Sequence, residues 1–260
     1  MNQNRIGFIG AGRITRIFLY GLQRAGMLPP EVVVSDTSRS TLDKLHEEFP
    51  SINTVEGNNR PPASQELVFL ALHPPAISVC LEEIQPCLHP ETVLISLAPK
   101  LTIAQMSLKL GNPSQKIMRM IPNAPSIINI GYNPVAFSSS FSIEEKCHWL
   151  SWLAALGECP EVPEGTLEAY AILTAMGPTY LWFQLYELLR MAHSFGLEDQ
   201  EALYAINAMV TGAVSCMLSG VMDEAEVLDL VPVKPLVDVE ASIIELYHSK
   251  LEPLYLKLKA

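Results

Sequence analysis

The chain opens with an apolar strand that runs straight into a glycine turn. Arg5-Ile6-Gly7-Phe8-Ile9 leads into Gly10-Ala11-Gly12, and a helical pattern from Ile14 to Ala25 follows, ended by Gly26. A strand, a Gly-x-Gly turn and a helix in direct succession leave few architectures open. Gly10 permits the tight turn. Gly12 has no Cβ, so a pyrophosphate can approach the backbone, where the amides and positive dipole end of the next helix face it. Glycine pairs are common in ordinary turns; the flanking strand and helix are what point to a dinucleotide. The motif is imperfect, because Thr15 stands where a third small residue usually lets helix and strand pack closely.

The first part of the chain keeps alternating in this way. Strands are expected at Arg5–Ile9, Val32–Ser35, Leu67–Leu72, Thr92–Leu97, Lys116–Met120 and Val135–Ser138. Helices are expected near Thr41–Glu48, Ala76–Ile84, Ile103–Leu110 and Ile143–Ala155. Continuous apolar strands separated by helices predict a mainly parallel sheet covered on both faces. Strands cease after Cys159-Pro160-Glu161-Val162-Pro163, so a domain boundary is expected near residue 160. Beyond it, Thr166–Phe195 reads as a helix pair or one helix interrupted at Gly177-Pro178, followed by helices at Glu198–Ser219 and Pro235–Leu258. Leu181, Phe183, Leu185, Leu188, Leu189 and Met191 give this part more apolar surface than so small a unit buries, which predicts a homodimer through the C-terminal helices.

Composition narrows the function. A net charge of −11 with no basic run argues against nucleic acid. Five cysteines at wide spacing, without a Cys-x-x-Cys pair, suggest reduced thiols in a cytoplasmic setting and no metal site. No targeting segment is evident in the first residues, and no apolar run of roughly 18 residues predicts a membrane span.

The order of motifs resembles the pyrroline-5-carboxylate reductase family over nearly the whole chain. Ile6-Gly7-Phe8-Ile9-Gly10-Ala11-Gly12 is similar to that family's opening, and Ala71-Leu72-His73-Pro74 stands near its Val-Lys-Pro. Ile121-Pro122-Asn123-Ala124-Pro125 with Gly131 resembles its Met-Pro-Asn-Thr-Pro and following glycine. Thr174-Ala175-Met176-Gly177-Pro178-Thr179-Tyr180 resembles its Gly-Ser-Gly-Pro-Ala-Tyr. The resemblance implies an N-terminal Rossmann-like, doubly wound domain over residues 1–160 and an all-helical dimerisation and substrate domain over 161–260. It implies hydride transfer from a reduced nicotinamide, NADP or NAD, to a cyclic imine to give proline, with positioning supplying much of the rate. Gly10, Gly12, Arg13, Ile14, Asp36, His73, Ser96, Ala98 and Asn123 are then the expected cofactor residues, and Gly177, Pro178 and Thr179 the catalytic segment, whose helix start would offer amides to an anion.

The departures are as informative. The family carries a Ser-Pro-Gly-Gly-Thr-Thr loop that holds the substrate carboxylate; here Leu230–Ser242 lacks the paired glycines and threonines and contains Pro232 and Pro235. Losing two charge-assisted hydrogen bonds, at roughly 1.5–3 kcal/mol each, would lower binding by about two to four orders of magnitude. Lys234 is either a substitute partner or a solvated lysine. Arg13 stands where the family often has Asn. Pro99-Lys100 stands where it often has Ala-Gly, so Lys100 is either an acid or anion clamp or a surface lysine. Asp36 suits the ribose hydroxyls of NAD, whereas the family typically prefers NADP, and Thr37, Ser38 and Arg39 could hold a 2′-phosphate if Asp36 turned away. Three readings follow: a reductase of a cyclic imine, a nucleotide-binding regulatory or sensing protein that has lost the chemistry, or a reductase of another small substrate. Thr166–Ser219 contains no lysine, which weighs against a β-hydroxyacid enzyme.

Overall fold

The computed structural model describes residues 5–259; the polar residues 1–4, read above for a targeting segment, lie outside them. The described strands are β1 (Arg5–Ile9), β2 (Glu31–Asp36), β3 (Asn53–Glu56), β4 (Leu67–Leu70), β5 (Val93–Ser96), β6 (Lys116–Met120), β7 (Gly131–Tyr132), β8 (Val135–Phe137) and β9 (Gly157–Glu158). Seven of them form one sheet in the order β3-β2-β1-β4-β5-β6-β8, while β7 and β9 pair separately. Every neighbour in the large sheet is parallel except β8, which runs antiparallel to β6. β3 is not announced by the sequence. It is an edge strand whose residues are only partly covered, so its four residues lack a buried apolar run.

Helices α1 (Arg13–Arg24), α2 (Arg39–Glu48), α3 (Arg60–Ala63), α4 (Pro74–Ile84), α5 (Ile103–Leu110) and α6 (Ile143–Leu153) connect and cover the strands. Their starts are set by local chemistry. Ser38 accepts the Thr41 amide, and Thr102 with Gln105 and Ser142 with Glu145 form capping boxes. Alternate side chains along each strand leave opposite faces. Phe8, Phe69, Ile95 and Met118 join Phe18 and Leu22 of α1 in one core, with Phe8 stacked on Phe69 at 4.6 Å. Ile9, Leu70, Leu94 and Ile117 join Ile77 and Leu81 of α4 and Met106 of α5 in the other. Each such fully buried Leu, Ile or Phe contributes about 1.5–3 kcal/mol of transfer free energy. The sheet is therefore doubly wound, as expected.

The chain divides into two compact units, one running to Met176 and resuming at Tyr255, the other spanning Gly177–Leu254. The first unit thus continues past residue 160, where strand patterning ends. The reason lies in α7 (Leu167–Tyr170) and the π-helical turn Ala171–Ala175 after it. Leu167 and Ala171 are buried against Ile121 and Ala136, with Leu258 packed alongside. The second unit is helical: α8 (Pro178–Ser194), α9 (Asp199–Leu218), α10 (Glu224–Asp229) and most of α11 (Val237–Lys259). Tyr180 meets Tyr247 edge-on at 6.0 Å. α8, α10 and α11 bury none of their side chains, and α9 buries only Ala202. Among the described residues α9 alone is long and apolar enough to cross a membrane by length and composition, at a mean hydropathy of 1.3. Asp199 and Glu201 occupy its first turn.

Candidate cofactor and active site

The glycine turn lies where the strand order reverses, between β1 and β4, which is where open α/β sheets bind ligands. Gly10 has φ of +104°, and a Cβ there would lie 2.5 Å from the Ala71 carbonyl oxygen, so both conformation and space demand glycine. A Cβ on Gly12 would meet nothing within 4 Å. That opening lies directly before α1, whose first-turn amides have no intrahelical acceptor. Arg13 is exposed at the helix start, with Ile14 partly covered. These features fit a dinucleotide pyrophosphate. Thr15 is accommodated in place of a third small residue because it is fully buried and its Oγ1 donates to the Gly10 carbonyl at 2.6 Å, bracing the turn.

Asp36 ends β2 beside this turn. Its Oδ2 accepts from the Ala11 amide at 2.8 Å and its Oδ1 from the Ser38 amide at 2.8 Å. The carboxylate is therefore latched across the glycine turn instead of turned away. His73 is exposed after β4, and its backbone begins α4, with Pro74 and Pro75 in the first turn. Two other expected cofactor residues are differently placed. Ser96 is fully buried, and its Oγ has no hydrogen-bond partner among the described residues; Ala98 is 4% exposed. Asn123 is buried, with its side chain turned inward. Its Nδ2 donates to the Thr174 carbonyl at 2.6 Å, and its Oδ1 accepts from the Tyr132 amide at 3.4 Å. Its own amide donates to Asn133 Oδ1 at 2.9 Å. Asn123 thus ties the end of β6 to the π turn.

Gly177, Pro178 and Thr179 head α8. Gly177 has helical dihedrals, φ −46° and ψ −45°, and its carbonyl already accepts from the Tyr180 amide at 2.9 Å. That bond uses one of the amides expected to be offered to an anion.

A charged cluster escaped sequence reasoning. Arg119, the fourth of the five residues of β6, is 1% exposed. Its Nη1 donates to Glu164 Oε1 at 3.0 Å and its Nη2 to Glu168 Oε1 at 2.6 Å. The same two oxygens accept backbone amides of the loop between β5 and α5: Lys100 at 3.1 Å on Glu168, and Ile103 at 2.7 Å on Glu164. Burial pushes the Glu168 carboxyl up; the bond and charge of Arg119, with the Lys100 amide, outweigh it and hold the group below the usual carboxylate range. The signal was present in Lys116-Ile117-Met118-Arg119-Met120, since an arginine inside an apolar central strand must find buried acids. Which acids these are is a matter of tertiary structure.

The thiols are not arranged as a centre. Burial, and then the charge of Glu83, push the Cys80 thiol up to about 12. Burial pushes Cys159 to about 12 as well. Among the described residues no group of three or more His, Cys, Asp and Glu could hold a metal ion.

Residues 5–100 match the family described as NADP oxidoreductase, coenzyme F420-dependent. Pyrroline-5-carboxylate reductase of Pseudomonas aeruginosa is 26% identical over 227 residues, covering 87% of this chain and 82% of the relative. The Escherichia coli enzyme of the same name is 25% identical, with 83% and 80% covered. The chain is similar to the pyrroline-5-carboxylate reductase family over most of its length. Solved structures agree over its whole length. A pyrroline-5-carboxylate reductase from Coxiella burnetii is 27% identical with a TM-score of 0.68, covering 99% of this chain and 95% of that one. A pyrroline carboxylate reductase from Plasmodium falciparum, solved with NADP bound, superposes with a TM-score of 0.82 at 18% identity, covering 100% and 98%; it supports the fold. The Rossmann-type sheet followed by a helical domain is thus the architecture of this family.

Proposed function

We propose that the protein reduces a cyclic imine carboxylate such as 1-pyrroline-5-carboxylate to the saturated amino acid, proline. The broader class, an NAD(P)-dependent oxidoreductase, follows from the similarity to these reductases. The observation that carries the reading is the glycine turn at the sheet's reversal point, open at Gly12 and latched by Asp36. A reduced nicotinamide, when bound, would supply the hydride for the imine carbon, and water would supply the proton for the ring nitrogen. The residues of this chain hold the reactants. Gly12 and the first amides of α1 receive the pyrophosphate, and Asp36 faces the adenosine ribose. The buried Asn123 and Arg119 bonds fix the loops at the carboxyl edge of the sheet. Such a site works by orientation and needs no buried acid of unusual pKa. Gly177, Pro178 and Thr179 are proposed as substrate contacts.

A second reading, a nucleotide-binding sensor without the chemistry, is favoured by one observation: Leu230–Leu236 carries prolines where the family holds its substrate. Loss of reduced-nicotinamide absorbance with 1-pyrroline-5-carboxylate separates the two. Turnover supports the reductase; cofactor binding without turnover overturns it in favour of the sensor.

A homodimer is part of the proposal. Trp182, Phe183, Tyr186 and Met191 of α8 are between 43% and 66% exposed, a concentration of apolar surface that a monomeric helix rarely leaves in water. Light scattering on the purified chain should give twice the monomer mass, and a monomer at micromolar concentration would refute it.

A further inference from the structure

The loop between β5 and α5 carries a backbone feature that the proposed reaction does not require. Lys100 has φ of 80°, in the left-handed region. Asn129 is the other non-glycine residue there among the described residues, and asparagine tolerates that conformation through its short polar side chain. A lysine gains no such relief, so the surrounding structure must impose the geometry. Two fastenings do so. The Lys100 amide is held by Glu168 and the Ile103 amide by Glu164, and both acids are bound by one buried guanidinium. Ser96, where β5 ends, lies beside Arg119 in the strand register, so the loop also starts from this cluster.

Glycine would meet the backbone requirement at lower cost. What lysine adds is an ammonium group. The Lys100 side chain is exposed, and it pairs with no carboxylate among the described residues, whereas Lys116 and Lys146 are both paired. The loop leaves the carboxyl end of its strand, on the same edge as the glycine turn and His73. β5 stands two strands from β1, about 10 Å away at ordinary strand spacing. That places Lys100 away from the pyrophosphate at the glycine turn, along the edge where the rest of the bound molecules must lie.

We propose that Lys100 is a specificity residue: its ammonium, aimed by the Arg119–Glu168 clamp, binds the carboxylate of an anionic substrate at the carboxyl edge of the sheet. This rests on the reductase reading above and names the group that selects its substrate.

The test uses the full chain with Lys100→Gly and Lys100→Arg, and two substrates: 1-pyrroline-5-carboxylate and 1-pyrroline, which lacks the carboxylate. Losing a charge-assisted bond should raise KM for the carboxylate substrate in Lys100→Gly by about 10- to 100-fold relative to the change for 1-pyrroline. Lys100→Arg should restore most of that discrimination. Lys100→Gly should melt no lower than wild type, because glycine adopts this φ without strain. Equal changes for both substrates overturn the proposal. So does a change confined to the KM of the cofactor, which would put the ammonium on the nucleotide. Calorimetry with pyrrole-2-carboxylate, in the presence of oxidised cofactor, reads the same contact without turnover. If wild type reduces neither substrate, the reductase reading fails. The Lys100 assignment is then supported by wild-type binding that is lost in Lys100→Gly, and overturned by equal binding or by none.

Discussion

Asp36 should make this protein prefer NADH. Its carboxylate accepts two backbone amides, from Ala11 and Ser38, both at 2.8 Å. A 2′-phosphate on the adenosine ribose can be accommodated in two ways. The carboxylate can stay, leaving like charges about 4 Å apart; at an effective dielectric near 20 that is roughly 4 kcal/mol per unit charge, cut to about 2 by the site's partial exposure. Or it can rotate away, losing two charge-assisted bonds worth about 3 kcal/mol together at the low end of their range. Either route disfavours NADPH by about 2–3 kcal/mol, a discrimination of roughly 30- to 150-fold. The assay is kcat/KM for both reduced cofactors, in wild type and in Asp36→Ser. Serine removes the charge and should collapse the ratio by the same factor, even though a looser glycine turn weakens both cofactors. A wild type that uses NADPH as well as NADH, or a ratio unmoved by Asp36→Ser, would refute the reasoning.

Other predictions follow from the buried cluster and the thiols. Arg119→Met leaves Glu168 buried without its counter-charge and should cost about 3–5 kcal/mol, with a melting temperature lower by roughly 6–20 °C; a change below about 1 kcal/mol would show the pair to be energetically idle. Because Glu168 is held below its ordinary range, its contribution is present above the unfolded-state value and is lost as pH falls through the folded-state value. Glu168→Gln should therefore flatten the acid limb of a melting-temperature profile, and parallel wild-type and variant curves would contradict this. A thiol reagent near neutral pH should label the exposed Cys147 in the native protein, while Cys80 and Cys159, pushed to about 12, react only after denaturation. Peptide mass spectrometry reads which residues carry the label, and prompt labelling of Cys80 would count against its burial.

Much of this protein was legible in its sequence. The glycine turn and the alternating apolar runs are local signals, set by periodicity and backbone chemistry. They gave β1, β6 and α5 to the residue and the doubly wound class as a whole. Family resemblance rested on short motifs, and the overall similarity to pyrroline-5-carboxylate reductases bears that resemblance out. What the sequence left open depended on partners far along the chain. Asp36 was either a ribose ligand or a side chain turned away, and only the Ala11 amide at its position across the turn decided its orientation. Asn123 reads as a loop residue in the sequence, and its bond to the Thr174 carbonyl is visible only in the fold. The first unit extended to Met176 because Leu167 and Ala171 found Ile121 and Ala136, a contact that no local pattern encodes. The acids that neutralise Arg119 lie 45 and 49 residues away along the chain. A buried charge announces that it must be paired, because leaving it alone in the interior is too costly. The fold alone brings the pair together.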